Sequence, residues 1–495
     1  MGYLQDNIPM SKFLSNMITL STSTLLGQVL GFLVTPIFSR LYSPADFGQF
    51  QLFVSIVGVI APISCLSYFY AILLPEDEED SAGVVVLCSF LITATVLAAT
   101  IILYFSSAFL ETVLHAPGFS LYLSLLPFGI GFSSFAYMIG YRLSKKEEFG
   151  TIAKANIYSS FTGKGITAGY GFISPSPFGL IVGSIVNDAT ICLIFSKKLM
   201  DDFLLFSRIS YKKIWELASR YKKFPLYGMS SEFAGNAAVQ VTPFLLALFF
   251  SPVVVGYYSM AYLILRLPSK LIGNALGTVF FQRASSEKNL TGGVKTVVAV
   301  VHTRLVSLGM FACLIVMITG PELFSFILGS KWATAGVYAQ IFAPSFFVAF
   351  ISTPLAYMYS VLEEQAASMW FNFLLLLSSV IALIVGGLLD NPVTGMILLS
   401  ATGVIFYGWM NMYSLKISGV PLGEAGRELG KFFSISACFC LPLLVAKLFS
   451  APPYLIIAFV AILSVLYYSV IVYNDDQLRT GFSGVVRGIL GKVRK

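Results

Sequence analysis

Charge is scarce in this chain. Only 11% of its 495 residues are charged, against 57% hydrophobic, and the mean hydropathy is +0.83. A soluble domain carries about a quarter of its residues as charges, so the composition excludes that class and specifies a polytopic membrane protein. Histidine is nearly absent: His115 and His302 are the two copies. The six cysteines (Cys65, Cys88, Cys192, Cys313, Cys438 and Cys440) fall in apolar stretches and form no C-x-x-C pair. A metal site or a disulfide framework is therefore not expected, and the cysteines read as small hydrophobes. Gly163-Lys164-Gly165 lacks the upstream glycine and the following Ser/Thr of a P-loop. No large soluble stretch exists to hydrolyse ATP or transfer sugars. Met1–Met10 is polar and precedes no cleavage site, so no removable signal peptide is expected.

Long apolar runs fill the rest. A spanning helix needs about 20 mostly apolar residues, and such runs lie at 15–39, 50–74, 83–105, 119–141, 151–173, 176–196, 225–250, 253–281, 294–319, 335–361, 366–388, 392–415, 431–449 and 452–473. Short breaks such as Ser174-Pro175-Ser176-Pro177 and Asp390-Asn391-Pro392 join them. The expected fold is all-α with about fourteen transmembrane helices.

Lys and Arg in the short loops set orientation. Of the 31 basic residues, 24 fall in segments that are cytoplasmic if the N-terminus is. Arg40, Lys331 and Lys447 fall opposite. Both termini are thus expected in the cytoplasm. The loop 197–223 and the tail 474–495 read as basic amphipathic segments suited to anionic headgroups or as plain topology anchors. Nucleic-acid binding is not expected, because the charges are spread over helix-flanking loops. The acidic run Glu76-Asp77-Glu78-Glu79-Asp80 reads as a solvated loop without calcium-loop spacing.

Four basic residues remain inside apolar spans: Lys164, Arg266, Lys270 and Arg304. Unpaired near a helix centre, they would together cost about 10–14 kcal/mol on insertion scales. A wet cationic cavity that takes an anionic cargo is one solution. Neutralisation by Asp188 and Glu232 is the other, and these acids are also candidates for proton or sodium coupling. Arg266 and Lys270 share a helix face across Pro268, which would kink the span. Arginine grips phosphate oxygens bidentately and lysine acts as a point charge, so phosphate or diphosphate suits such a cavity. Arg40, at the outer end of the first span, either rings the cavity mouth or snorkels to the interface. Gln28, Asn156, Asn187, Asn236, Gln240 and Asn274 read mainly as helix–helix glue.

A repeat is also visible. Ser43-Pro44-Ala45-Asp46-Phe47-Gly48-Gln49-Phe50 and Ser251-Pro252-Val253-Val254-Val255-Gly256-Tyr257-Tyr258 both read S-P-x-x-x-G-x-aromatic, six helices apart. An even helix offset preserves orientation and points to parallel repeats.

The stretch Pro36-Ile37-Phe38-Ser39-Arg40-Leu41-Tyr42-Ser43-Pro44-Ala45-Asp46-Phe47-Gly48, followed by Ala71-Ile72-Leu73-Leu74-Pro75 and an acidic loop, resembles bacterial polysaccharide flippases. These are the O-antigen, Wzx-like members of the multidrug/oligosaccharidyl-lipid/polysaccharide (MOP) superfamily. Phe224-Pro225-Leu226-Tyr227, the second S-P motif and Leu267-Pro268 are similar to the start of that family's second half. Gly329-Ser330-Lys331-Trp332-Ala333-Thr334-Ala335-Gly336 is similar to its G-x-x-W-x-x-A-G loop. The resemblance implies a MATE-like, V-shaped pair of six-helix lobes, 1–196 and 225–415, joined by the linker 197–224 and followed by two helices in 431–473 and the tail.

It further implies alternating access in the bacterial inner membrane. The implied cargo is undecaprenyl-diphosphate-linked oligosaccharide, with surrounding membrane lipids and a polysaccharide polymerase and chain-length regulator as partners. Lys164, Arg266, Lys270, Arg304 and Arg40 are the implied substrate-binding residues, and no cofactor is expected beyond an H+ or Na+ gradient. Two alternatives are a MATE-like exporter of small molecules and a membrane polysaccharide polymerase or ligase. The cationic interior argues against the first, and the short outside loops against the second.

Overall fold

The computed structural model describes residues 27–202, 205–206, 209–269, 287, 293–362 and 364–474. Among them the chain is helical without a strand. The helices are α1 (Gly27–Leu41), α2 (Pro44–Ile60), α3 (Glu78–Val113), α4 (Leu126–Lys145), α5 (Phe149–Ile173), α6 (Pro177–Leu199), α7 (Tyr211–Arg220) and α8 (Met229–Phe249). There follow α9 (Pro252–Leu265), α10 (Lys295–Leu328), α11 (Ala333–Ser352), α12 (Gln365–Leu388), α13 (Pro392–Ile417), α14 (Leu422–Leu448) and α15 (Pro453–Asn474).

Each of the fourteen expected spans falls on one of these helices, and α7 is the addition. Among the described residues, eleven helical stretches are long and apolar enough to cross a membrane. The helices α1 and α9 are apolar but short, and both abut residues outside the description. The remaining one, α5, has the length but not the hydropathy, because Lys154, Asn156 and Lys164 dilute its apolar run.

Four local expectations change. The span expected at 50–74 starts earlier, at Pro44. Ser43 and Asp46 close a capping box there, with Ser43 N–H donating to Asp46 Oδ2 at 2.7 Å. The same helix stops at Ile60. Pro62 offers no N–H, and two 3-10 turns follow, separated by Leu66 and Ser67 at φ of 54° and 62°.

The acidic run is a solvated loop only at Glu76 and Asp77, and the rest enters a helix. Asp77 caps α3 by accepting from Glu79 N–H at 3.1 Å, and Glu78, Glu79 and Asp80 fill the first turn, where the helix dipole favours negative charge. Beyond it, α3 continues for 36 residues, about 54 Å at 1.5 Å per residue. That exceeds a hydrocarbon core of about 30 Å.

The span expected at 294–319 continues to Leu328 across a break at Thr319 (φ −123°) ahead of Pro321. Proline there frees the Met317 carbonyl. Gln340 Nε2 takes it at 2.8 Å, and Lys447 Nζ takes the Ile318 carbonyl at 2.7 Å while pairing with Glu322 at 3.0 Å. Lys447 is therefore more than an orientation charge: it closes a gap in the backbone ladder. Gly320 and Gly336 make the crossing of α10 and α11 close. A Cβ on either would lie 2.5 Å from the other's carbonyl oxygen.

By contact the chain forms two compact units. One holds residues 1–259 with 387–392, the other 260–386 with 393–495. This grouping follows contacts, whereas the two-lobe expectation follows the repeat. The helix α8 joins the first unit through its polar side chains. Gln240 Oε1 accepts from Ser55 of α2 at 3.0 Å, and Glu232 accepts from Tyr70 at 2.5 Å. In the same unit the two S-P-x-x-x-G motifs seat on each other. A Cβ on Gly48 would fall 1.7 Å from the Pro252 carbonyl oxygen, and one on Gly256 1.9 Å from that of Pro44. Only glycine permits this mutual approach of helix starts.

Candidate functional site

Lys164 lies midway along α5, half-buried against α1. Its Nζ donates to the Gly27 carbonyl at 3.0 Å, and its stem passes Gly31, where a Cβ would be 3.7 Å from Cε and Nζ. The glycine on α1 leaves the room that the lysine occupies. Its partner is thus a backbone dipole. Among the described residues no carboxylate stands within ion-pair distance of Lys164, and neutralisation by Asp188 is not what is observed.

Asp188 faces elsewhere. It accepts from Asn187 Nδ2 at 3.0 Å and from Ser133. It also lines a cavity of about 370 Å³ between α4, α5 and α6, shared with Ser133, Tyr137, Tyr141 and Asn156. All three helices contribute polar side chains to its lining. Glu232 likewise finds no cation within ion-pair distance among the described residues. It accepts from Tyr70 at 2.5 Å and from Asn236 Nδ2 at 3.2 Å. The Tyr70 ring meets that of Tyr141 edge-on, with centroids 5.4 Å apart. Because Tyr141 also lines the cavity, the two acids terminate one polar run: Glu232, Tyr70, Tyr141, cavity, Asp188.

Arg266 stands in the second unit, one residue beyond α9, which ends short of Pro268. Its Nη1 donates to Tyr262 Oη at 2.6 Å, and its guanidinium stacks 5.3 Å from that ring. Phe346 of α11 meets Tyr262 edge-on at 5.4 Å, so an aromatic wall steadies the arginine. Arg304 sits nine residues into α10, half-buried, about 14 Å along the axis from Lys295. Arg40 is exposed at the end of α1. Lys270, with Asn274, lies outside the described residues, so the face it shares with Arg266 is a sequence expectation alone.

Sequence reasoning missed a cluster of charges in the first unit. Arg142 of α4 is fully buried, and each nitrogen of its guanidinium has a partner. Nε and Nη2 donate to Asp202 Oδ2 at 3.1 Å, Nη1 to Ser81 Oγ at 2.9 Å, and Nη2 pairs with Glu78 at 2.6 Å. Lys146 binds the other oxygen of Asp202, and Lys145 donates to the Pro75 carbonyl at 2.5 Å. Asp80 binds Lys213 at 2.5 Å and Arg220 at 3.3 Å. That hydrogen bond holds the Lys213 ammonium above its usual range. Nearby, hydrogen bonds from Lys198 and Thr151 pull the Glu148 carboxyl below its usual range. A signal was present: Arg142 falls on the same helical face as Met138 and Ile139, where orientation alone gives no reason for a charge.

Residues 37–336 match a family model described as "Polysaccharide biosynthesis protein". No curated protein matches the chain in sequence. A solved structure of the lipid II flippase MurJ in an inward closed conformation is similar to 92% of this chain and 99% of its own, at TM-score 0.72 and 13% identity. An inward-facing multidrug resistance MATE family transporter of the MOP superfamily is similar over 81% and 98% respectively, at TM-score 0.58 and 14% identity. At these identities the likeness establishes the fold.

Proposed function

The chain belongs to the polysaccharide biosynthesis protein family, and from that premise we propose that it is a flippase for lipid-linked oligosaccharide. The cargo is undecaprenyl-diphosphate-linked repeat units of a surface polysaccharide such as O-antigen. They move from the cytoplasmic to the periplasmic leaflet of the inner membrane by alternating access, without covalent chemistry. The observation that carries the reading is the family match over residues 37–336, joined to a fold similar to that of a lipid II flippase.

Lys164, Arg266, Lys270 and Arg304 hold the diphosphate or acidic sugars in this reading, with Arg40 at the mouth. Lys164 and Arg266 suit the role. Lys164 donates one bond to a carbonyl and keeps two further N–H groups. Arg266 is steadied by an aromatic ring, and among the described residues no acid pairs with it. Asp188 and Glu232 serve coupling to an H+ or Na+ gradient, because their partners are neutral donors.

Deletion of the gene tests the proposal. Lipid-linked repeat units should accumulate on the cytoplasmic face and surface polysaccharide should disappear. Normal surface polysaccharide in a strain without a redundant exporter would sink it. Lys164→Ala and Arg266→Ala variants that insert normally yet export fully would remove those residues from the binding role.

A further inference from the structure

Among the described residues nothing covers the outer face of α7. The helix occupies the connection between Leu199, where α6 ends, and Phe224, where the next membrane-crossing stretch begins. It packs across the first turns of α3, so it lies at the level where spans start and stop. Three contacts fix its rotation. Leu217, 2% exposed, sits over Gly83, where a Cβ would come within 2.4 Å of Cδ1. Tyr68 Oη donates to the Ala218 carbonyl at 2.9 Å, and Lys213 and Arg220 hold Asp80 from either side of Leu217.

That rotation turns Tyr211 and Trp215, one helical turn apart, outward at 81% and 75% exposed. Lys212 beside them and Lys222 and Lys223 in the following turn are exposed as well, against Glu216 as the exposed acid of this face. Tryptophan and tyrosine rings gather at headgroup depth, and lysines there reach lipid phosphates. A ten-residue helix is only about 15 Å long, too small for a protein interface of about 800 Å² per partner.

We infer that this face is a docking surface for the anionic phospholipid headgroups of the adjacent leaflet. Tyr211 and Trp215 are its anchors, and Lys212, Lys222 and Lys223 its charge readers. Lys213 and Arg220 stay with Asp80 and do not read lipid. The inference needs only a membrane-spanning chain and stands whatever the cargo is.

The test uses the full chain in nanodiscs of mixed phosphatidylcholine and phosphatidylglycerol. Either lipid is brominated in turn near its headgroup, and the signal of Trp215 is the fluorescence difference between the native chain and W215F. Brominated phosphatidylglycerol should quench that signal more strongly than brominated phosphatidylcholine. The preference should shrink by up to about fivefold for each lysine changed in K212E, K222E and K223E. It should also fall as salt rises. Equal quenching by both lipids overturns the anionic assignment. No quenching by either places Trp215 against water or protein and overturns the surface altogether.

Discussion

Replacing Gly256 with alanine tests a backbone-to-backbone crossing in the first unit. The new Cβ would lie 1.9 Å from the Pro44 carbonyl oxygen, and ordinary contact begins at 3.4 Å, so the crossing must open by about 1.5 Å. The obstacle is backbone, pinned by the capping box at Ser43 and Asp46, and no side chain can swing aside. Overpacking of this kind costs about 1–3 kcal/mol. Gly48→Ala meets the Pro252 oxygen at 1.7 Å and should cost the same. Either substitution opens the same crossing, so the double variant should fall short of the sum by about 0.5–3 kcal/mol. The assay is the fraction of full chain surviving a heat step in detergent, read by size exclusion. Gly430→Ala in α14, where a Cβ meets nothing within 4 Å, is the control and should be neutral or stabilising by about 1 kcal/mol. An unchanged heat profile for G256A, or strict additivity in the double variant, would refute the reasoning.

Asp202→Asn should destabilise by about 3 kcal/mol, at the low end for a broken buried pair because Glu78 still faces Arg142. Lys146→Ala should stay within about 1 kcal/mol, and the same heat assay ranks the two. Gln340→Ala should weaken the native chain more than a Pro321→Ala background, since alanine returns the N–H that the Met317 carbonyl lacks; equal losses in a double-mutant cycle would contradict this. Glu148 has a lowered pKa, so its pair with Lys198 contributes at neutral pH and is lost as pH falls through the folded value. Both partners are partly exposed, so the effect should be under about 1 kcal/mol. Glu148→Gln should flatten that acid limb of the stability profile, and an unaltered limb would count against the assignment.

The spans were legible because insertion selects long apolar runs, and among the described residues every expected segment overlaps a helix. Breaks within them were less so. Pro62 and Pro321 are visible in sequence, yet whether a proline ends a helix or merely bends it depends on who takes the freed carbonyl. At Pro321 that is settled by Gln340 and Lys447, both distant in the chain. Charge pairing was the least legible property. Lys164 and Asp188 sit on adjacent helices, but helix rotation points one at Gly27 and the other into a cavity. Counting Arg142, Lys145 and Lys146 as orientation charges explained their side of the membrane and hid their pairing with Asp202, the Pro75 carbonyl and Glu78. The S-P-x-x-x-G motifs were readable as a repeat, whereas their mutual contact needed three dimensions.

The mutual seating of Pro44–Gly48 and Pro252–Gly256 has the form of an isologous interface, in which residue i meets j and j meets i. Symmetric dimers build such contacts from two copies of one chain. Here a single polypeptide supplies both surfaces, so the two motifs are not free to drift separately. A side chain larger than hydrogen at position 48 is felt at 252, and one at 256 is felt at 44. The repeat in the sequence is thereby held in register by the contact its own copies make.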